Sequence, residues 1–275
     1  MTTTQKVIKY IAIAFAIFLI VTIISGILTG SYKLLNVLGL INTDNGIVTE
    51  NLNVISNETK ELSSLNIDLS FTNLNIKSGD TFKVETNNSR IVFEENNGSV
   101  KIKEENQSWF NNNITSNLIV YIPKSIVQIN DTNIKMGAGN INIEQLNTKG
   151  LYLELGAGDT YIENAVVAEE SKIDGGIGNT ELKSCEINNL EANLGMGEFK
   201  FWGKLTGKNK IDSGVGAINM KFKNNKNDYK FEVNKGIGNV TLDEQKNVTD
   251  GIYGSGEIYL SLDGGIGEIK IEFEK

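Results

Sequence analysis

Apolar and polar positions follow two regimes along the chain. Tyr10–Leu28 is an almost unbroken aliphatic and aromatic run, and no charged residue occurs from Tyr10 to Tyr32. At about 19 residues the run is close to the roughly 20 needed to cross a bilayer core as a helix. A cleaved signal peptide, with a shorter apolar region and a small-x-small cleavage site, is the weaker alternative. Lys6 and Lys9 on the short leading side place the N-terminus in the cytoplasm and the remainder outside. Residues 31–41 stay fairly apolar, and 42–60 are polar with a turn signal at Asp44-Asn45-Gly46. The expected organisation is therefore a cytoplasmic stub and transmembrane anchor over 1–30, a juxtamembrane segment and linker over 31–60, and an extracytoplasmic domain over 61–275.

In that last part the pattern changes to strict alternation. Leu65, Ile67 and Leu69 alternate with polar residues, as do Leu74 and Ile76, and Val100 and Ile102; Leu118-Ile119-Val120-Tyr121-Ile122 is a further strand segment. Further on, a Gly-x-Gly triplet keeps returning. It stands at Gly137 and Gly139, Gly156 and Gly158, Gly176 and Gly178, Gly195 and Gly197, Gly214 and Gly216, and Gly236 and Gly238. Two more triplets follow, at Gly254 and Gly256 and at Gly265 and Gly267. The steps are 19, 20, 19, 19, 22, 18 and finally 11 residues. Three positions before the first glycine come Ile134, Leu153, Ile173, Ala192, Ile211, Val233 and Leu262. Six after it come Ile143, Ile162, Leu182, Phe201, Met220, Leu242, Leu260 and Ile271, with a matching series two positions earlier that includes Ile258. Apolar–other–apolar is the signature of a strand with one buried face. The unit reads as strand, glycine bend, strand, return loop, and the glycines are structural turn residues that need positive φ or close backbone approach.

A single such unit cannot bury its apolar face alone, so units must stack, and a fixed step with fixed columns is what stacking demands. The predicted fold is all-β, a parallel β-helix or solenoid of about 19-residue repeats behind one N-terminal transmembrane helix. A meander of antiparallel hairpins is the competing arrangement. Asparagines at repeated positions are expected to form ladders. The short final step predicts that Glu257–Leu262 and Glu268–Phe273 close the stack as a cap.

Composition narrows the chemistry. There is no histidine and one cysteine, so imidazole-based catalysis, an internal disulfide and a multi-thiolate metal site are all ruled out. With Lys6 and Lys9 on the leading side, the exported part holds 24 basic and 34 acidic residues, a formal charge of −10. That balance argues against a nucleic-acid partner, which needs a basic face. No triplet continues as a dinucleotide fingerprint or a phosphate loop, and the residue after the second glycine is too varied for a calcium ligand set. No cofactor and no metal site are expected.

Leu118-Ile119-Val120-Tyr121-Ile122-Pro123-Lys124, followed by Ile134-Lys135-Met136-Gly137-Ala138-Gly139-Asn140-Ile141-Asn142-Ile143, resembles the bacterial putative-adhesin family, a β-strand-repeat domain of unknown function. The resemblance covers about residues 60–275. It implies a β-helical domain at the bacterial envelope, frequently behind a single membrane anchor, and supplies no catalytic motif.

Exposed aromatics are the better lead to a ligand. Tyr161 and Tyr259 take outward strand positions, Trp109 sits in the polar stretch 106–116, and Trp202 follows a strand end; such rings stack on sugars or anchor a protein partner. Cys185 reads as a small buried residue in a return loop. The expected function is non-enzymatic. It is that of a membrane-anchored extracytoplasmic binding module at the bacterial cell membrane, adhesin-like or envelope-sensing, whose partner is an envelope protein or cell-wall glycan. The alternatives are a glycan-active enzyme using Asp159, Glu181 and Glu198, or a purely structural spacer.

Overall fold

The computed structural model describes residues 48–56, 61–105 and 115–274. The chain divides into two units, Met1–Asn45 and Gly46–Lys275. The expected membrane anchor, and the segment that holds Trp109, lie outside the described residues. Among the described residues no helix is long and apolar enough to cross a membrane. Among its described residues the second unit is all-β apart from one 3-10 turn at Lys226–Asp228. Val48–Val54, inside the stretch expected as linker, is a strand.

The strands form two long ladders. In spatial order the first runs Ile91–Asn96, Ser99–Glu104, Ser64–Phe71, Ile129–Ala138, Leu146–Ala157, Ala165–Ile177, Leu190–Met196, Lys208–Val215, Ile258–Ile266, Tyr229–Asn234 and Gly251–Gly254. The second runs Val48–Val54, Lys83–Asn88, Asn117–Pro123, Asn73–Gly79, Ile141–Ile143, Thr160–Glu163, Thr180–Asn188, Phe199–Thr206, Ile218–Phe222, Ile269–Phe273, Val240–Leu242 and Gln245–Lys246. Every interior pairing is parallel, and antiparallel strands occur only at the outer edges. Each glycine bend carries the chain from the first ladder into the second, so the two strands it joins are not a hairpin. Through the middle, partners in register are 19 or 20 residues apart: Tyr152 faces both Asn133 and Lys172, and Lys172 faces Glu191.

Register turns the sequence columns into a core. Ile102, Ile67, Ile134, Leu153, Ile173, Ala192, Ile211, Leu262 and Val233 follow one another across the first ladder. Val120, Ile76, Ile143, Ile162, Leu182, Phe201, Met220, Ile271 and Leu242 do so across the second. All of them are buried, and each large aliphatic side chain withdrawn from water contributes about 1.5–3 kcal/mol. One part of the expected columns is wrong. Ile258 and Leu260 do not belong to the second ladder; they pair with Tyr229 and Phe231 in the first.

The corner explains the glycines. An added Cβ on Gly158 would lie 1.9 Å from the carbonyl oxygen of Gly139, and φ there is +133°. Neighbouring rungs are too close for a side chain, and the N–H of each second glycine bonds to the next rung, as in Gly139 to the Ala157 carbonyl at 3.0 Å. Gly178, Gly197 and Gly216 repeat this geometry, with φ of 142°, 144° and 148° and N–H bonds of 2.9 Å each to Met196, Val215 and Ile266. The last of the regularly spaced triplets differs in detail. There the positive φ belongs to the first glycine, Gly236, at 60°. Gly238 is required by close approach alone, since a Cβ on it would lie 1.6 Å from the Gly267 carbonyl oxygen. Just past the corner, polar side chains tie the rungs together. Asn140 Oδ1 accepts the backbone N–H of Asp159, Asp159 Oδ1 that of Asn179, and Asn179 Oδ1 that of Glu198.

The expected return loops are themselves strand. Asn164 and Ser184 turn the chain with φ of 54° and 53°, and pairing then resumes, with Leu146 opposite Ala165 and Val167 opposite Ile187, which faces Leu205. Cys185 lies in this stretch, fully buried, and its thiol donates to the Lys183 carbonyl at 3.3 Å.

Both ends of the stack depart from chain order. The expectation that 257–273 forms the cap is overturned: the rung Ile258–Phe273 lies between the rung 208–222 and the rung 229–242. A step of 11 residues is too short for a full rung, so Gly251–Gly254 first doubles back antiparallel to Tyr229–Asn234. The end rung is closed by rings, with Tyr229 stacked on Phe231 and both meeting Phe273. At the other end, the rung 64–79 lies between 99–123 and 129–143. Its corner is Ser70-Phe71-Thr72, and here a carboxylate binds the backbone. Glu104, itself buried, accepts the backbone N–H groups of Ser70 and Phe71 at 2.8 and 3.1 Å and the Thr72 hydroxyl, while Asn88 donates to its other oxygen.

Candidate functional site

Alternation in the second ladder sends every other side chain outward. On the strand Thr160–Glu163 these are Tyr161 and Glu163; on Thr180–Asn188, Glu181 and Lys183; on Phe199–Thr206, Lys200 and Trp202; on Ile218–Phe222, Asn219 and Lys221. Parallel register therefore puts Tyr161 and Trp202 on one face, two strands apart across the ladder and two residues apart along it, about 12 Å in all. Lys183 stands between them, directly opposite Trp202. It pairs with Glu163 at 2.9 Å, and the Tyr161 side chain is close enough to act on both charges. The Glu163 carboxylate holds the Lys183 ammonium above its ordinary value, and the ammonium holds the carboxyl below its own.

Trp202 is the centre of this face. Its indole is 37% exposed, large for a residue flanked by strands on both sides. Lys221 Nζ and Lys223 Nζ lie 5.8 and 5.7 Å from the ring centroid, within cation–π range. Neither lysine has a carboxylate within 4.0 Å among the described residues. The indole N–H donates to Glu274 Oε1 at 2.6 Å, which fixes the ring's orientation. Such an arrangement offers one flat apolar surface beside two cations that form no ion pair of their own, with Glu272 opposite Lys221 in the ladder and Glu274 on the indole N–H; the ring and the lysines suit a sugar ring or planar group that carries negative charge.

Tyr259, the third aromatic expected to meet a ligand, is elsewhere. It lies in the first ladder between Lys208 and Lys230, and its hydroxyl donates to Glu232. That bond and partial burial raise its pKa. Grouping it with Tyr161 relied on the triplet Gly254-Ser255-Gly256 being a repeat corner, which it is not. Trp109 lies outside the described residues. Tyr152, which the repeat arithmetic passed over, points outward from the first ladder beside a shallow groove bordered by Asn66, Lys101, Asn133 and Lys172. Its signal was its place one residue before the buried Leu153.

The carboxylates considered for chemistry hold the rungs together instead of converging. Asp159 belongs to the polar ladder at the corner. Glu198 binds Lys200 at 2.8 Å and accepts from the Asn219 amide at 2.7 Å. Glu181 faces Tyr161 and Lys200 across the ladder. Among the described residues no group of three or more His, Cys, Asp or Glu side chains is placed to hold a metal ion. Burial pushes the Cys185 thiol up to about 11.

A family model described as Toastrack DUF4097 matches residues 62–262. No curated protein matches the chain. Among solved structures, a putative cell adhesion protein from Clostridium sporogenes is 17% identical, with 82% of this chain and 99% of that one covered at a TM-score of 0.36. A putative adhesin from Bacteroides fragilis is 12% identical, with 82% and 100% covered at a TM-score of 0.31. A putative adhesin from Parabacteroides merdae is 11% identical, with 82% and 98% covered at 0.26.

Proposed function

The chain belongs to the Toastrack DUF4097 family, and from that premise we propose that it is a membrane-anchored extracytoplasmic β-solenoid that binds a component of the bacterial envelope without transforming it. The observation that carries this reading is the exposed Trp202 indole beside Lys221 and Lys223. A ring and cations held on a strand scaffold are pre-positioned, so little conformational entropy is lost on binding. Parallel ladders with offsets of 19 and 20 residues support the solenoid part of the reading. The uncharged run Tyr10–Leu28 supports the anchor, and Lys6 and Lys9 support its orientation. The ligand that best suits the face is an anionic cell-wall glycan.

The test uses Trp202 as its own reporter. In full-length protein carrying Trp109→Phe, all tryptophan emission comes from residue 202. Titration with solubilised cell-wall fragments should shift that emission, and Trp202→Ala should lower retention on the same material about tenfold. Lys221→Ala with Lys223→Ala should weaken binding and flatten its salt dependence. Unchanged retention in all these variants would remove the face from consideration.

A further inference from the structure

The glycine corner presents a second surface, independent of the Trp202 face. The middle residue of each triplet points outward, and register places these residues side by side: Ala138, Ala157, Ile177, Met196, Val215, Ile266 and Ile237, with Phe71 at the end. None is buried, and Ile177 and Met196 are 57% and 50% exposed. The flanking glycines have no side chains, so the row stands as a ridge. Packing does not require it to be apolar. Where a Gly-x-Gly lies outside the column, at Gly254-Ser255-Gly256, the exposed middle residue is serine. Eight rungs at about 4.8 Å make a ridge of about 34 Å, and a continuous apolar row of that length marks an interaction site.

Charge selects the occupant. Along one flank run Asp68, Glu154, Asp174, Asp212 and Asp263, with Lys135 the one cation in that row; Glu154, Asp174 and Asp212 pair with Lys135, Lys172 and Lys210, and the row remains acidic in balance. Along the other run Asp159, Glu198 and Glu268, of which Glu198 pairs with Lys200. A second copy of the chain would bring carboxylate against carboxylate, and an anionic bilayer would meet the same repulsion. Strand addition is also disfavoured, because backbone groups at this corner already pair between rungs, as Gly158 N–H does with the Ile177 carbonyl at 2.8 Å. An α-helix lying along the ridge returns an apolar side chain every turn, about 5.4 Å, close to the rung spacing. About 22 helical residues span the ridge.

We propose that the glycine-corner ridge docks an amphipathic helix of a partner protein, apolar along one stripe and bordered on both sides by Lys or Arg. The probe is a fluorescein-labelled 22-residue peptide with leucines on one helical stripe and lysines beside it, titrated into the full chain and read by anisotropy. Binding should be saturable and weakened by salt. Ile177→Ser with Met196→Ser, exposed positions that leave the glycines in place, should weaken it at least tenfold while far-UV circular dichroism is unchanged. Asp159→Asn with Glu268→Gln should reduce the salt dependence. A scrambled peptide of equal charge that binds as well, or a serine variant that binds equally, overturns the proposal. So does tighter uptake by anionic lipid vesicles, or self-association in sedimentation that the serine substitutions abolish.

Discussion

Gly158→Ala tests the stacking directly. The new Cβ would sit 1.9 Å from the Gly139 carbonyl oxygen and 2.7 Å from its carbon. Since real Cβ atoms essentially never come within 3.0 Å of such a group, the two rungs must part by more than 1 Å. That stretches the bonds from Gly139 N–H to Ala157 and from Ile141 N–H to Asp159, now 3.0 and 2.9 Å, at about 0.5–1.5 kcal/mol each. The φ of +133° adds about 1–3 kcal/mol of backbone strain for any residue with a Cβ. The expected loss is about 3–5 kcal/mol. Ile177→Ala, on the same corner but facing solvent, should change stability by no more than about 0.5 kcal/mol. Urea unfolding followed by far-UV circular dichroism reads both. A Gly158→Ala midpoint that corresponds to a loss under about 1 kcal/mol would mean that the rungs are not packed this closely, and the account of the glycine series would fail with it.

Two further outcomes follow from the ends and the core. Glu104→Ala strands the N–H groups of Ser70 and Phe71 and the Asn88 amide in a buried site, which should cost about 3–5 kcal/mol in the same unfolding assay; Glu104→Gln, which keeps one acceptor oxygen, should cost less, and equal costs would contradict the plug geometry. Cys185, with its thiol raised from 9.0 to about 11 by burial, should resist alkylation at pH 8 until urea opens the fold. Because the folded value lies above the unfolded one, its contribution to stability is complete below pH 9 and is lost as pH rises through about 11; alkylation of the native protein at the rate of an exposed thiol would show the burial to be wrong.

Much of the fold was legible because a repeat restates its own constraint. Each rung must supply apolar residues at the same offsets from the same bend, so Ile134, Leu153 and Ile173 announce one column before any coordinates exist. Rung order is a different kind of information. Nothing in the spacing says that 258–273 enters between two earlier rungs, because every rung presents the same edges and register is satisfied in either order. Gly254-Ser255-Gly256 misled for a related reason: a local triplet matches the corner in composition, while its neighbours pair as an antiparallel hairpin. The aromatic face was half legible. Tyr161 could be placed from alternation alone, but Lys221 and Lys223 come to the Trp202 ring only through the next strand and the residue beyond it. The corner role of Asp159 was hidden because an acceptor for backbone N–H groups needs no fixed residue type, and Asn and Asp serve alike.

Interleaving the ends changes how the molecule comes apart and how it is made. A terminal layer in a simple stack has one free edge and can peel, bond by bond. Here the last layer made is held by its neighbours on both edges, so a pull on the C-terminus must shear many bonds at once. During synthesis, the chain through residue 242 has nothing to rest its final turn on, and Tyr229 and Phe231 wait in water until the tail slots home. The segment 258–273 thus acts as the latch, and a chain that stops short of residue 258 is left with its last finished layer unsupported.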